Sequence, residues 1–117
     1  MTKSTAPKAP AHLKPPTADW WRRVMTDWSL EEHHVRLLTL AAESWDRGQQ
    51  AREALAENGL TFLDRFKQPH ARPEIAIERD SRIAFARLVR ELGLDVEEPS
   101  TSGQPIIKGN ASRRIED

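Results

Sequence analysis

The chain has 117 residues, with 18 Lys and Arg against 18 Asp and Glu, so its formal net charge is zero. That is one domain's length, and the balance excludes both a strongly basic nucleic-acid sponge and an acidic tail protein. There is no cysteine, which excludes disulfides, thiolate metal sites and thiol chemistry.

The first sixteen residues, MTKSTAPKAPAHLKPP, hold four of the eight prolines and three lysines but no acid. Fixed φ and missing amide donors predict a flexible, basic, Pro-rich arm over 1–16. A signal peptide's apolar core is missing there. No apolar run approaches the ~20 residues that span a bilayer. The expectation is a soluble cytoplasmic protein with no membrane partner. Because only 38% of residues are hydrophobic, the packed core must be small, and oligomerisation is a common remedy for such a core.

The helical core and oligomerisation domain is expected over 17–94. Its first helix is predicted over 18–28, capped by Thr17. Trp20, Trp21, Val24, Met25 and Trp28 share one face at helical spacing, opposite Arg22, Arg23 and Thr26. Ser29-Leu-Glu-Glu32 reads as a capping box. It would open a long central helix running to about Asn58, with Gly59 at the C′ position. Leu30, Leu37, Leu38, Ala41, Trp45, Leu55 and Ala56 mark its apolar side, and Val35, Leu40, Ala42 and Ala51 widen it toward more than one neighbour.

Residues 60–72, LTFLDRFKQPHAR, break the helical period. Thr61-Phe62-Leu63 favours β and Asp64 favours a turn, so a short hairpin or extended loop is expected. Pro73 suits N1 of a third helix that ends at Leu92 before Gly93. Ile77, Ala84, Phe85, Leu88, Val89 and Leu92 form its apolar face. Residues 95–117, DVEEPSTSGQPIIKGNASRRIED, read as a flexible C-terminal tail. The fold class is therefore mainly α: a short N-terminal helix, a long central helix, a short hairpin or loop, and a third helix, between flexible tails.

Zero net charge conceals two basic zones. Residues 1–28 carry five bases and two acids, and residues 59–94 carry seven and five. Lys3, Lys8, Lys14, Arg22 and Arg23 form a cationic arm and helix face that can neutralise phosphates without reading sequence. A solvated tail is the plain alternative. Arg65, Lys67 and Arg72 belong to the second zone. On the third helix Arg79, Arg82, Arg87 and Arg90 make a stripe suited to phosphate or carboxylate. The same stripe reads as an ordinary soluble surface, because Glu78–Arg82 and Arg87–Glu91 are i, i+4 pairs.

All four tryptophans lie between 20 and 45. Trp20, Trp21, Trp28 and Trp45 read as core or subunit interface rather than as base-stacking platforms. Arg52, within the apolar arc, is expected to pair with a carboxylate inside the chain or across an interface. His33 and His34 point about 100° apart on a helix and suit chelation poorly, so neither metal nor cofactor is expected. His34 falls in the apolar arc. There is no Gly-rich phosphate loop, no triad order and no distinguished carboxylate pair, which makes an enzyme the last reading.

Together, WWRRV, LEEHHVRLLTLAAESWDR, GLTFLDRF and AIERDSRIAFARLVRELGLD resemble the small subunit of tailed-phage terminase, over about 17–97. The order and spacing of GLT, DRF, RP, AIERD and RELGL carry the resemblance. Two positions depart from it. Relatives often have glycine where Lys67 stands, and histidine where Arg72 precedes the proline. If the turn needs positive φ, Lys67 costs about 1 kcal/mol.

The resemblance implies a DNA-packaging adaptor that forms rings, engages double-stranded phage DNA and regulates a separate large subunit. That large subunit holds the ATPase and the nuclease. The small subunit performs no covalent chemistry, and its place of action is the cytoplasm of the infected bacterial host. On this view the second and third helices pair antiparallel. The four tryptophans and Arg52 fix subunits side by side in a closed head-to-tail ring, which multiplies weak phosphate contacts. A helix-turn-helix docking of the first two helices is disfavoured, because the central helix is too long and begins with Glu31 and Glu32. The alternatives are a protein-only interaction module and a small dimeric DNA-binding regulator.

Overall fold

The computed structural model describes residues 8–94 and the backbone of a two-residue strand at 113–114. Helix α1 spans Pro15–Asp27, and its N-cap is Lys14. The start lies upstream of the expected one because the locked φ of Pro15 and Pro16 suits a first helical turn. Thr17, expected as the cap, instead sits inside that turn, and its hydroxyl donates to Asp46 Oδ1 at 2.6 Å. The Lys14 amide donates to Asp46 Oδ2 at 2.9 Å. A carboxylate from another helix therefore serves the α1 N-terminus. Upstream, Leu13 is buried and His12 Nε2 meets Glu43 at 2.7 Å. Packing thus begins within the segment expected to be a free arm.

After α1 the chain extends through strand β1, Trp28–Ser29. It pairs antiparallel with β4, Arg113–Arg114, Trp28 opposite Arg114. Because Ser29 is drawn into β1, the Ser29–Glu32 capping box does not form. Helix α2 spans Glu32–Asn58 with Glu31 as N-cap, and the Glu31 amide donates to His34 Nδ1 at 3.2 Å. Its 27 residues extend ~40 Å. The helix stops at Gly59, φ +87°.

Strands β2, Thr61–Leu63, and β3, Pro69–Ala71, form the antiparallel hairpin. Helix α3 spans Pro73–Leu92 as expected and is closed by Gly93 in the left-handed region. The expected C-terminal tail otherwise falls outside the described residues.

Helices α2 and α3 run antiparallel. Arg52 meets Glu78 and Trp45 meets Phe85, while Leu38 and Leu92 share one buried cluster. Midway, the helices approach closely through small residues: a Cβ on Gly48 would lie 3.3 Å from Ser81 Cβ. Helix α1 crosses the other half of α2, where Leu13, Ala18, Trp21 and Val24 join Leu38, Ala42 and Leu92. Leu38 and Leu92 are wholly inaccessible. Burying a leucine fully is worth about 1.5–3 kcal/mol, so these two anchor the three-helix junction. The hairpin lies beyond α2's far end. Thr17 contacts Asp46, and the twelve residues from there to Asn58 place it roughly 20 Å further along.

Candidate nucleic-acid interface

The expected site residues fall into two separated groups. Lys8, Lys14, Arg22 and Arg23 are exposed on and before α1. Arg22 is committed in part, with Nη1 2.7 Å from Asp19 Oδ1 one turn back. Among the described residues Lys8, Lys14 and Arg23 have no ion-pair partner. Lys3 lies outside the described residues. Arg65, Lys67 and Arg72 sit around the hairpin, so the two basic zones do not merge into one patch.

The hairpin is organised by Asp64. Its Oδ1 accepts from the amides of Phe66 at 2.8 Å and Gln68 at 2.9 Å, and its Oδ2 meets His70 Nε2 at 2.8 Å. The amide hydrogen bonds and His70 hold the Asp64 carboxyl below the usual carboxylate range. Lys67 occupies φ +65°, the only positive φ at a non-glycine among the described residues. On one hairpin face Phe62 stacks on His70 at 5.5 Å, and the Arg72 guanidinium lies 5.9 Å from the Phe62 centroid. Leu63, Pro69 and Ala71 stand on the other face, exposed. At the tip the Arg65 guanidinium covers the Phe66 ring at 5.1 Å.

The arginine stripe on α3 resolves into two kinds of residue. Glu78 accepts from both Arg82 and Arg52, and these bonds hold its carboxyl below the usual range. Arg52 is thus paired within the chain. Arg79 leans on Asp80 at 3.4 Å. Arg87 and Arg90 are exposed and without an ion-pair partner among the described residues.

The tryptophans do not share one role. Trp21 is 4% exposed, and its Nε1 donates to Thr39 Oγ1 at 3.2 Å. Of the two roles read from its spacing, core or subunit interface, Trp21 takes the core one within this chain. Trp20 and Trp28 are half-buried against that core. Trp45 is 44% exposed and shares Phe85 with Trp20, at 5.0 and 5.7 Å. Pro16, Thr17, Trp20, Trp45 and Phe85 line an open apolar groove of about 340 Å³. Along α2 and α3, Leu40, Ile77 and Ile83 are also exposed. The third helix was expected to bury Ile77, but the close α2–α3 approach at Gly48 and Ser81 places the seam elsewhere.

Glu31, His33 and His34 bring three potential ligand atoms within 4.8 Å of one another, a cluster the sequence reading did not anticipate. His34 is buried, and its Nδ1 already accepts the Glu31 amide. Burial first, then His33, hold its imidazole below the usual value against the opposing pull of Glu31. The cluster's evident work is the start of α2.

No described helix is long and apolar enough to cross a membrane. No curated protein and no solved structure matches the chain. The family described as "Phage terminase, small subunit" matches residues 18–104, from the second turn of α1 through all of α2, the hairpin and α3. With most of its length matched, and with the helical core as that resemblance implied, the chain belongs to the phage terminase small-subunit family, and its role lies in phage DNA packaging.

Proposed function

We propose that the protein is a non-catalytic, ring-forming adaptor that binds phage genomic DNA for packaging and regulates the large ATPase and nuclease subunit in the cytoplasm of the infected bacterial host. The observation that carries this reading is the apolar surface left along the helix pair. Trp45, Leu40, Ile77 and Ile83 stand exposed on two packed helices. Apolar side chains grouped on a small folded core are the usual mark of a protein–protein contact. A neighbouring copy covering them would complete a core that one chain makes only in part. Trp45 lines one such surface with Trp20 and Phe85, and Leu40 lines a separate one with Ile77; two different faces suit a head-to-tail contact, to which Trp28 is also assigned.

The unpaired cations fit the second half of the reading. Lys8, Lys14 and Arg23 at one end, and Arg65 and Lys67 at the other, are exposed and free to neutralise phosphates, while Arg72 is half-buried beside Phe62 and contributes charge from behind them. Repeating them around a ring raises avidity without new contacts. Lys3 belongs to the same arm by sequence.

Light scattering with and without Trp45→Asp tests the assembly. A concentration-independent mass of roughly eight to twelve chains, lost in the variant, is the expected result for a closed heterologous ring. A monomer or dimer at every concentration excludes a ring formed by this chain alone. A titration of DNA binding against salt separates the adaptor from a protein-only interaction module, because phosphate contacts give a steep slope.

A further inference from the structure

We propose that the β2–β3 hairpin is a wedge that deforms duplex DNA: Phe66 enters the minor groove and inserts between base pairs while Arg65 and Lys67 hold the flanking phosphates. This rests on the DNA-binding reading above and adds to it a site, a contact chemistry and an effect on the DNA.

Phe66 is 70% exposed, the most exposed large apolar side chain among the described residues. Among the described residues its ring is met by the Arg65 guanidinium alone. A phenylalanine held at a turn tip in water does nothing for the chain's own packing. Apolar side chains presented on projecting elements are the groups that architectural proteins push between base steps from the minor groove, kinking the duplex by roughly 20–90°.

The hairpin is also built stiffly for its size. Two three-residue strands are marginal alone. Here Asp64 gathers two backbone amides and His70 with its carboxylate, its own amide donates to Gln68 O at 3.0 Å, and the Lys67 amide returns to Asp64 O at 2.8 Å. Lys67 is held at φ +65°. A tip fixed in this way loses little conformational freedom on binding.

Dimensions and charge decide the occupant. Paired strands are ~5 Å apart, and with side chains such a ribbon exceeds the ~6 Å minor groove, so only the tip enters and the groove must open. Arg65 and Lys67 flank Phe66 in sequence, and the exposed Arg65 guanidinium that covers the ring swings from it to a phosphate as the ring inserts. Leu63, Pro69 and Ala71 present an apolar hairpin face toward the sugar edges of the opened groove. Asp64, the tip's one acid, has its oxygens filled from within the hairpin. A second copy of this chain receiving the hairpin would bury Phe66 and Leu63, an outcome that the native mass of the Phe66 variant separates from DNA binding. DNA satisfies both kinds of side chain.

The test uses the full chain and a duplex of about 30 base pairs, the length over which such bends are measured. It carries end dyes for distance and 2-aminopurine at a central TA step for unstacking. Wild-type binding should shorten the end-to-end distance and raise 2-aminopurine emission. Phe66→Ala should bind roughly tenfold more weakly, with an unchanged salt slope and neither signal, as for the loss of one stacking contact. Phe66→Leu, which keeps an apolar wedge, should retain both signals. Tight wild-type binding without shortening or unstacking overturns the wedge and leaves DNA binding standing. Absence of duplex binding at low salt overturns both. A change of native mass in Phe66→Ala, with DNA bending unaltered, assigns the hairpin to a subunit contact and overturns the wedge.

Discussion

Lys67 at φ +65° makes a prediction of unusual sign. A left-handed backbone costs an L-residue about 1–2 kcal/mol, and glycine escapes that cost. Glycine also gains unfolded-state entropy, which takes back about 0.5–1 kcal/mol. Lys67→Gly should therefore stabilise the closed hairpin by about 0.5–1 kcal/mol. That is roughly a two- to fivefold slowing of amide exchange through local opening. The reporters are the Lys67 and Asp64 amides, bonded to Asp64 O and Gln68 O. Lys67→Ala is the control: it removes the same charge and keeps the backbone cost, so its exchange should not slow. Duplex binding should weaken equally in both variants, with each lost phosphate contact lowering the salt slope by about 0.9. Equal exchange in the glycine and alanine variants would refute the assignment of strain to Lys67.

Leu92→Ala empties a wholly buried position at the three-helix junction and should cost about 2–5 kcal/mol by urea unfolding. A change below ~1 kcal/mol would mean that the junction is not the core. His34 is held neutral by burial, so its lowered pKa contributes stability above the ordinary histidine value of 6.5. That contribution declines as pH falls below that value; the thermal midpoint should drop between pH 7.5 and 5.5, with a smaller drop in His34→Gln. Arg22→Glu with Arg23→Glu should weaken duplex binding and flatten its salt dependence while leaving the native mass unchanged, since both lie on the outer face of α1.

The helices were legible because their apolar spacing is strong and their stops are glycines. Pro73 and Gly93 bracket α3 as expected. The starts were harder. Two prolines outweighed Thr17 as the signal for α1, and the cap came from Asp46, a residue 29 positions from Thr17 that no local pattern reveals. Ser29 has the side chain of a cap, but strand pairing at Trp28 and Ser29 claims it, and that partner lies near the other end of the chain. The hairpin's existence followed from β-branched and turn residues. Its tight tip was visible only as an unexpected lysine at a position where relatives often have glycine.

For the candidate site, the basic residues were readable one by one but not their separation. That separation depends on α1 meeting the middle of α2 rather than its end. Tryptophan spacing identified an apolar face without saying which rings meet the chain itself. Trp21 and Trp45 differ in that respect because Trp21 turns from α1 into its junction with α2, whereas Trp45 stands on α2 at the edge of the groove. The wide apolar arc on α2 was real, yet α2 and α3 approach closely at a small residue, Gly48 against Ser81. That close approach leaves Leu40 exposed and Trp45 at the seam's edge, against Phe85 on one side and open to solvent on the other.

Asp46 also bears on the order in which the chain acquires structure. Helix α1 has no acid in its first turn and no side-chain cap from its own N-cap residue. Its anchoring carboxylate and its apolar partners Leu38, Ala42 and Leu92 all follow it in sequence. During synthesis α1 emerges before its partners and therefore has nothing to dock on until α2 and the end of α3 have left the ribosome. Folding should begin in the α2–hairpin–α3 unit, whose two long helices share the most extensive packing and are joined by a tight hairpin, and finish when α1 closes onto it. In a kinetic mutant series, Thr17→Ala should speed unfolding and leave the folding rate almost unchanged, the signature of an element that arrives after the rate-limiting step.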